Sequence, residues 1–374
     1  MKKKVYLDYS ATTMVDNNVL EKFNNVVKDC YANPNSIHDL GLKSKTIIDK
    51  SISNICSYFN IDKDEIIFTS GSSESNNTVI KGIIEGSKRK KIITTYLEHS
   101  SILSPLSYLQ SKGYIVEFVK LNNNGLVDIE DLRSKLDGNT LLVSICLVNS
   151  ELGIILNTKE VFEVVKDYDK EIYTHSDITQ GLGKVNINLD NIDMASFSGH
   201  KIYTFKGIGG LIKKKNIKIV PLIHGGKSTT LYRSGTPSTE FIYSLSCAFD
   251  LFKNSIDVKY NYVKELNNRI RNVLKGYDNI CINSTDDSIP HILNFSIIGK
   301  SSNGVQKYFN DKGIYISTKS ACSSDKNISM AVKNMYNEER ALSSVRVSIS
   351  YKTTSEEIDY FIDILKEYMS NENS

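Results

Sequence analysis

The chain has 374 residues, with 46 Lys and Arg against 43 Asp and Glu, and its formal net charge is +3. This length predicts about two domains of roughly 100–250 residues each. A composition of 40% hydrophobic and 24% charged residues is typical of soluble globular proteins and excludes a disordered chain. The near-neutral charge, with no basic stripe beyond residues 213–215, argues against nucleic acid as a partner. No apolar run approaches the roughly 18–20 residues that cross a membrane, and we expect no signal peptide.

Six cysteines are spread along the chain without a CxxC pair or any close spacing. They are Cys30, Cys56, Cys146, Cys247, Cys281 and Cys322. In a chain of this length, such spacing predicts free thiols in a reducing cytosol rather than a disulfide framework. Only seven of the basic residues are Arg. Because Lys cannot reproduce a guanidinium fork, Arg346 is a candidate for binding a carboxylate through two hydrogen bonds.

Short β-branched runs alternate with helical patterns between residues 65 and 211. The predicted strands are at 66–69, 92–95, 115–119, 141–148, 171–174 and 194–197, and an amphipathic helix is predicted at 159–168. This alternation predicts an α/β domain with a mostly parallel sheet, whose ligand site lies at the carboxyl ends of the strands.

The pattern changes after about residue 241. A long helical region is predicted to residue 274. It is followed by predicted strands at 292–296, 314–317 and 345–349 and by predicted helices at 304–311 and 355–369. We therefore expect a large domain over 13–255 and a smaller α+β domain made of 1–12 and 256–374.

Two polar residues follow predicted strands of the large domain. Lys201 comes after the strand at 194–197, among Ser, Gly and His, and Asp177 comes after the strand at 171–174. A lysine that forms a Schiff base and a carboxylate that pairs with a protonated pyridine nitrogen are the two requirements of a pyridoxal phosphate (PLP) site. Taken singly, Lys201 is equally typical of a solvated loop, and Asp177 of a helix cap.

Two further features fit a phosphorylated ring. Ser72 and Ser73 follow Gly71 at the start of a predicted helix, where free N–H groups and hydroxyls can bind a phosphate. An ordinary helix cap has the same pattern. His99 follows the strand at 92–95, where an imidazole can stack on a flat ring and move protons. A lone histidine is nevertheless more often structural.

These pieces occur together with other motifs in an order that resembles one family. The motifs are Tyr6-Leu7-Asp8-Tyr9-Ser10-Ala11-Thr12-Thr13, Asn33-Pro34-Asn35-Ser36-Ile37-His38, Phe68-Thr69-Ser70-Gly71, Glu98-His99, Asn149-Ser150-Glu151-Leu152-Gly153, Asp177-Ile178-Thr179-Gln180, Ser196-Phe197-Ser198-Gly199-His200-Lys201, Arg233-Ser234-Gly235-Thr236, Ser320-Ala321-Cys322-Ser323 and Ser344-Val345-Arg346. The chain resembles the PLP-dependent cysteine desulfurases of the NifS/IscS type, in the class V aminotransferase family. The resemblance implies a PLP-dependent transferase fold of type I.

The resemblance also implies roles for the residues that match the motifs. Lys201 would form the Schiff base and, together with His99, would move protons. Asp177 would bond the ring nitrogen of PLP, and Gln180 its phenolic oxygen. The other cofactor contacts would come from Ser72, Ser73, Asn149, Ser198 and His200 and, across a homodimer with shared sites, from Thr236. The substrate carboxylate would be bound by Asn33, Asn149 and Arg346. No metal is implied.

Cys322 favours a desulfurase over an aminotransferase. Its thiolate would attack the sulfur of bound L-cysteine, which gives L-alanine and a persulfide on Cys322. The polar neighbours of Cys322 argue against its burial, whereas Cys146 lies in an apolar run. The sulfur would then pass to an acceptor protein for Fe–S cluster assembly or for thiolation of tRNA or cofactors. We expect this chemistry in the cytoplasm.

Other interpretations remain open. A selenocysteine lyase or another PLP-dependent β-lyase would share everything except the need for a nucleophilic cysteine, and an aminotransferase would form a keto acid. Departures from the family pattern, such as Thr204-Phe205 and Lys319, also leave open a non-catalytic scaffold of the same fold. Such a scaffold would have no reason to retain the whole set of Lys201, Asp177, His99, Cys322 and Arg346.

Overall fold

The computed structural model describes residues 3–318 and 328–371. The described strands, in chain order, are β1 (Val5–Tyr6), β2 (Ile66–Thr69), β3 (Lys91–Thr94), β4 (Ile115–Phe118), β5 (Thr140–Ser144), β6 (Tyr173–Asp177), β7 (Met194–Ser198), β8 (Gly209–Lys213), β9 (Ile280–Ile282), β10 (Ile292–Ile297), β11 (Ile314–Tyr315) and β12 (Ser344–Ser348). The described α-helices are α1 (Asn17–Asp29), α2 (Asp39–Phe59), α3 (Ser72–Gly82), α4 (Ser100–Gln110), α5 (Ile129–Lys135), α6 (Thr158–Tyr168), α7 (Thr239–Asp250), α8 (Ile256–Leu274), α9 (Ser302–Asp311), α10 (Met330–Met335), α11 (Glu338–Ser343) and α12 (Ser355–Asn371).

Seven of these strands form the largest sheet, in the order β2-β8-β7-β6-β5-β3-β4. Neighbouring strands are parallel except at β8, which runs antiparallel to both β2 and β7. The predicted α/β fold with a mostly parallel sheet is confirmed. Because the parallel strands share one carboxyl edge, the segments that follow β2, β3, β6 and β7 come together there.

Strand β8 is not predicted by the sequence patterns, because its first two residues are glycines and glycine is a poor strand former. In the structure these glycines allow close packing. A Cβ atom on Gly210 would lie 2.5 Å from Cζ of Phe197. One on Gly209 would lie 2.6 Å from Cα of Gly71 and 2.5 Å from the carbonyl oxygen of Phe197. Strand β8 therefore packs directly against the turn that precedes α3.

A second, antiparallel sheet has the order β12-β10-β9, and β1 pairs in parallel with β11. Val5 and Leu7 share an apolar core with residues of this sheet and of α8 and α12. Ala331, Val332 and Ala341, although late in the chain, pack with the core of the large sheet instead. The division into 13–255 and 1–12 with 256–374 stays a prediction.

The long helical region predicted between about 241 and 274 consists of two helices. Helix α7 ends at Asp250, and α8 begins at Ile256. Between them, the Ser255 hydroxyl donates a hydrogen bond to the carbonyl of Leu251 (3.2 Å), and Lys259 Nζ donates to the same carbonyl. These side chains satisfy a carbonyl that the interrupted helix leaves without a backbone partner.

Residues 5–13, which we call the N-terminal arm, run between the two sheets. The Ser10 N–H donates to Oγ of Ser348 on the small sheet (2.9 Å). The Thr13 N–H donates to the carbonyl of His200, just beyond β7 (2.9 Å). The arm therefore lies across the carboxyl end of β7 and brings residues of both cores to one place.

All five cysteines of the described chain are free thiols. Cys30, Cys56, Cys146 and Cys247 are buried free thiols, and Cys281 is partly exposed. Over residues 3–318 and 328–371, no helix is both long and apolar enough to cross a membrane. The same part of the chain contains no group of three His, Cys, Asp or Glu side chains that could hold a metal ion.

We predict that Gly209→Ala lowers the free energy of unfolding by about 1–3 kcal/mol, because a methyl group there must push apart backbone atoms of β7 and Gly71. Gly138→Ala is the matched control, since a Cβ at Gly138 meets no atom within 4 Å. Urea unfolding of the two variants and the wild type measures both changes. Equal stability of all three proteins would contradict the packing that we describe at β8.

Candidate active site

A cleft opens at the carboxyl ends of β6 and β7, beside the start of α3 and beneath the N-terminal arm. Most of the predicted site residues line it. They are Ser72, Ser73, His99, Asp177, Gln180, Ser198, His200, Lys201 and Arg346. These residues are spread over 275 sequence positions from 72 to 346, so the fold, and not local sequence, assembles the cleft.

Lys201 ends the short 3-10 turn Gly199–Lys201 that follows β7. Its Nζ donates to the carbonyl oxygens of Ser10 and Ala11, the latter at 2.6 Å. Both acceptors belong to the N-terminal arm. The arm therefore holds the amine of Lys201 in the cleft.

Asp177 is the last residue of β6, and its carboxylate is held by donors on both oxygens. The N–H of Thr179 donates to Oδ1 (3.0 Å), and the side chain of Asn76 on α3 donates to Oδ2 (2.8 Å). Asn76 Nδ2 also donates to the hydroxyl of Ser101 (2.8 Å). Asn76 thus ties Asp177 to the start of α4.

His99 precedes α4 and caps it. The N–H of Ser101 donates to Nδ1 of His99 (3.2 Å), which places the proton of a neutral imidazole on Nε2. Burial lowers the pKa of His99, and the nearby Lys201 acts in the same direction against the opposing effect of Asp177. A neutral ring suits stacking on a flat cofactor and proton transfer at Nε2.

Ser72 and Ser198 meet at the N-terminus of α3. The Ser72 N–H donates to Oγ of Ser198 (2.7 Å), and the two hydroxyls are 2.9 Å apart. Gly71, with a φ of +152°, leaves a space in which a Cβ would lie 3.2 Å from Oγ of Ser198. The hydroxyls of Ser72 and Ser198 and the positive end of the helix dipole favour an anion at this place.

Gln180 and His200 complete the side of the cleft beneath the arm. Gln180 Nε2 donates to the carbonyl of Ser10 (2.9 Å). His200 Nδ1 lies 3.2 Å from Oγ1 of Thr12. Burial, together with the charge of Lys201, lowers the pKa of His200 to about 4. His200 is therefore neutral at physiological pH and can bind an anion only as a hydrogen-bond donor.

Arg346 lies at the centre of β12 and is only 1% exposed. Its Nη2 donates to Oδ1 of Asp8 (2.8 Å), and its Nη1 donates to the carbonyl of Ser150 (2.9 Å). Its Nε is buried and has no hydrogen-bond partner among the described residues. The guanidinium that the sequence analysis singled out thus lines the cleft, and its Nε–H has no acceptor among the described residues.

Three predicted residues lie outside the cleft. Asn149 is buried in a turn, where Nδ2 donates to the carbonyl of Leu97 (2.8 Å) and Oδ1 accepts from two backbone N–H groups. The side chain of Asn33 accepts from the N–H of Asn35 (2.9 Å). Thr236 lines a different cavity, next to Arg233. Cys322 lies outside the described residues.

Several side chains in or beside the cleft were assigned no role from the sequence. Asn76, which holds Asp177, carries no motif signal. Thr179 lines the cleft, and its buried Oγ1 has no partner in the described chain. Cys146 also lines the cleft, although its apolar surroundings in the sequence indicated simple packing. Glu98 belongs to the Glu98-His99 motif, but no role was predicted for it.

Glu98 is a buried acid beneath the cleft. Its Oε1 accepts from the N–H of Cys146 (2.8 Å) and from the hydroxyl of Thr95 (3.1 Å). Burial, reinforced by the charge of Asp177, raises the pKa of Glu98 to about 8. Glu98 is therefore protonated at neutral pH.

Comparison with known proteins agrees with this arrangement. Residues 5–361 match the aminotransferase class-V family. The chain belongs to this family. It is 38% identical to the cysteine desulfurase IscS of Buchnera aphidicola, with 98% of this chain and 92% of the relative covered. It is also 35% identical to the cysteine desulfurase IscS of Dictyoglomus turgidum, with 98% of this chain and 94% of that relative covered.

Solved structures of the family have the same fold. A NifS-like protein superposes with a TM-score of 0.93 at 31% identity, and the match covers 98% of this chain and all of the other. A structure described as SspA in complex with cysteine has a TM-score of 0.83 at 29% identity, covering 94% of this chain and 100% of the other. The predicted resemblance to NifS/IscS-type proteins and the type I fold are confirmed.

Members of this family depend on PLP, and PLP is the predicted cofactor that the comparisons confirm. The residues of the cleft fit it. An amine, a carboxylate held at a strand end and a helix N-terminus with two hydroxyls match the aldehyde, the ring nitrogen and the phosphate of PLP. The buried, unpartnered Oγ1 of Thr179 adds a polar group for a ligand in the cleft.

We predict that Glu98→Gln removes a pH dependence of stability. Between the ordinary pKa of 4.5 and the folded value of about 8, unfolding releases a proton from Glu98, so the wild type loses stability as pH rises. The variant has no such proton. The difference in free energy of unfolding should therefore move in favour of the variant by about 1.4 kcal/mol per pH unit.

Urea unfolding of the two apoproteins at pH 5, 6, 7 and 8 measures this difference. The exposed Glu163 supplies the control, and Glu163→Gln should follow the wild type at every pH. Parallel curves for Glu98→Gln and the wild type would show that Glu98 is ionised in the folded protein.

Proposed function

We propose that the protein is a cysteine desulfurase, a PLP-dependent sulfurtransferase that converts L-cysteine to L-alanine and passes the sulfur on through Cys322. The observation that carries this proposal is the meeting of Lys201, Asp177 and Arg346 in one cleft. An amine for the cofactor, an acid for its ring nitrogen and a guanidinium for a carboxylate are what an enzyme acting on an amino acid requires.

The chemistry that PLP supplies when bound is withdrawal of electrons from the α-carbon of an amino acid. Lys201 holds the cofactor and then moves a proton to and from the α-carbon. While the amine of Lys201 is not bonded to the cofactor, it donates to the carbonyls of Ser10 and Ala11, which keep it in the cleft. Asp177 bonds the ring nitrogen, and the neutral ring of His99 stacks on the cofactor.

The substrate side of the proposal rests on Arg346. A buried guanidinium binds a carboxylate more strongly than an exposed one, because water does not compete for its donors. Asp8 already occupies Nη2, so the carboxylate of L-cysteine is expected to use the unpartnered Nε and share Nη2 with Asp8. Asn33 and Asn149 are proposed as further contacts to this carboxylate, with Asn149 using the amide proton that Leu97 leaves free.

Cys322 is the proposed nucleophile in the step that transfers sulfur. The thiolate of Cys322 forms a bond to the sulfur of L-cysteine, and the bond between that sulfur and the β-carbon breaks. The electrons of the broken bond stay on the carbon fragment, which takes up protons and leaves as L-alanine. Cys322 is left as a persulfide, so no external oxidant or reductant is needed.

A homodimer with shared sites is part of the proposal. Thr236 lines a cavity away from Lys201 of its own chain, so it is free to serve another copy. Arg233 Nε donates to Glu74 on α3 (3.0 Å), which holds the loop of Thr236 near the start of that helix. Exposed apolar side chains nearby, such as Ile37 (92%) and Leu231 (72%), suit burial against a partner.

We propose a sulfur-acceptor protein of Fe–S cluster assembly or of tRNA or cofactor thiolation as the second partner, and the cytoplasm as the location. A persulfide carrier needs a reducing compartment, which agrees with the free thiols of the described chain. The alternative of a selenocysteine lyase or another β-lyase is not favoured, because the similar relatives named above are cysteine desulfurases. A non-catalytic scaffold is not favoured either, because the cleft keeps its full set of polar groups.

We predict that Cys322→Ala lowers alanine formation from L-cysteine by at least about 100-fold, because the variant has no thiolate to accept the sulfur. The yellow absorption of bound PLP should remain, since Lys201 and Asp177 are untouched. Alanine and persulfide are measured by mass spectrometry on the purified holoenzyme.

Cys281→Ala is the matched control, because Cys281 is the most accessible of the described thiols and lies on β9. It should retain wild-type alanine formation. Wild-type activity in Cys322→Ala would refute the role of Cys322. Formation of a keto acid in place of alanine would instead indicate an aminotransferase.

A further inference from the structure

Lys184 is a buried lysine that the proposed reaction does not use. It follows Gln180 by four residues, between β6 and β7, and is 8% exposed. Its Nζ donates to the backbone carbonyl of Gln180 (3.0 Å) and to the side-chain Oε1 of the same residue (3.2 Å). The amine of Lys184 therefore touches the one residue assigned to the phenolic oxygen of PLP.

No acid explains the position of this amine. Among the described residues, no carboxylate lies close enough to Lys184 Nζ to form an ion pair, and none raises its pKa. The charged and titratable groups that face it are Lys201, His200 and His291. Burial, together with the charge of Lys201, lowers the pKa of Lys184 to about 7. Burying an amine without an acid costs stability. The hydrogen bonds to Gln180 are the contacts that offset this cost.

The contact decides which way the Gln180 amide points. With Oε1 accepting from Lys184, Nε2 faces the cleft and donates to the carbonyl of Ser10 (2.9 Å). A flipped amide would set Nε2 against the amine of Lys184, with two donors facing each other, and would lose the bond to Ser10. The second proton of Nε2 is then available to a ligand in the cleft.

We propose that Lys184 is a positioning residue for PLP, which holds the Gln180 amide so that Nε2 donates to the phenolic oxygen of the cofactor. This inference rests on the proposed role of Gln180. A donor to Oε1 polarises the amide and strengthens the hydrogen bond that Nε2 donates. Lys184 thereby stabilises negative charge on the phenolic oxygen without touching the cofactor.

The test uses binding of PLP to the apoprotein and the pH titration of the bound cofactor's absorption. In Lys184→Met we expect the dissociation constant for PLP to rise about tenfold. We also expect the pH midpoint of the absorption change to rise by about one unit. The phenolic oxygen shares a proton with the Schiff-base nitrogen, and it holds this proton more tightly when its negative charge is less stabilised.

Lys213→Met is the matched control. Lys213 is 1% exposed and donates to the carbonyls of Lys214 (3.1 Å) and Ile217 (2.8 Å), away from the cleft. Its replacement removes a buried amine of the same kind. It should lower stability without changing the PLP dissociation constant or the pH midpoint.

Two further variants separate positioning from general damage. The double variant Lys184→Met with Gln180→Met should bind PLP no more weakly than Gln180→Met alone, because Lys184 acts through Gln180. Lys184→Arg, which keeps hydrogen-bond donors at this position, should retain the wild-type pH midpoint. This variant also provides the test if Lys184→Met does not fold.

Unchanged PLP affinity and midpoint in Lys184→Met would overturn the proposal. So would additive losses in the double variant, or a pH midpoint in Lys184→Arg that is about one unit above the wild-type value. None of these measurements requires turnover of L-cysteine. A wild-type protein that binds PLP but forms no alanine would therefore count against the proposed function and leave this inference standing.

Discussion

The hydrogen bonds from Lys201 to the carbonyls of Ser10 and Ala11 are the constraint on which the rest of the site depends. They join the turn after β7 to the N-terminal arm, and the same arm is bonded to Ser348 on the small sheet. Asp8, also on the arm, binds Arg346. One short segment therefore sets the distance between the amine proposed to hold the cofactor and the guanidinium proposed for the substrate.

The cleft separates neutral from charged groups. Burial keeps His99, His200 and Glu98 neutral around physiological pH, by lowering the pKa of the imidazoles and raising that of the acid. Asp177 and Arg346, by contrast, are each held by hydrogen bonds suited to their charges. In the proposed enzyme, such an arrangement would let the acid face a ring nitrogen and the guanidinium face a carboxylate, while the histidines would serve as hydrogen-bond donors and a stacking surface.

Much of this could be predicted from the sequence. The alternating runs predict the parallel strands, and the motifs around Lys201 and Asp177 predict two residues that line the cleft. Strand β8 was missed because its glycines serve close packing against Phe197, which depends on a neighbour in space. Asn76 was missed for the same reason, because its hydrogen bond to Asp177 joins residues 101 positions apart. Lys184 lies only four residues after Gln180, but the sequence does not show that its amine is buried against that side chain.

The central claim is that this cleft holds PLP on Lys201. The most direct measurement is borohydride reduction of the purified yellow protein, followed by digestion and mass spectrometry of the peptides. We expect the phosphopyridoxyl group on the peptide that contains Lys201, and its loss in Lys201→Ala. Labelling of Lys184 or Lys206 in its place, or wild-type labelling of the Lys201→Ala protein, would contradict the account.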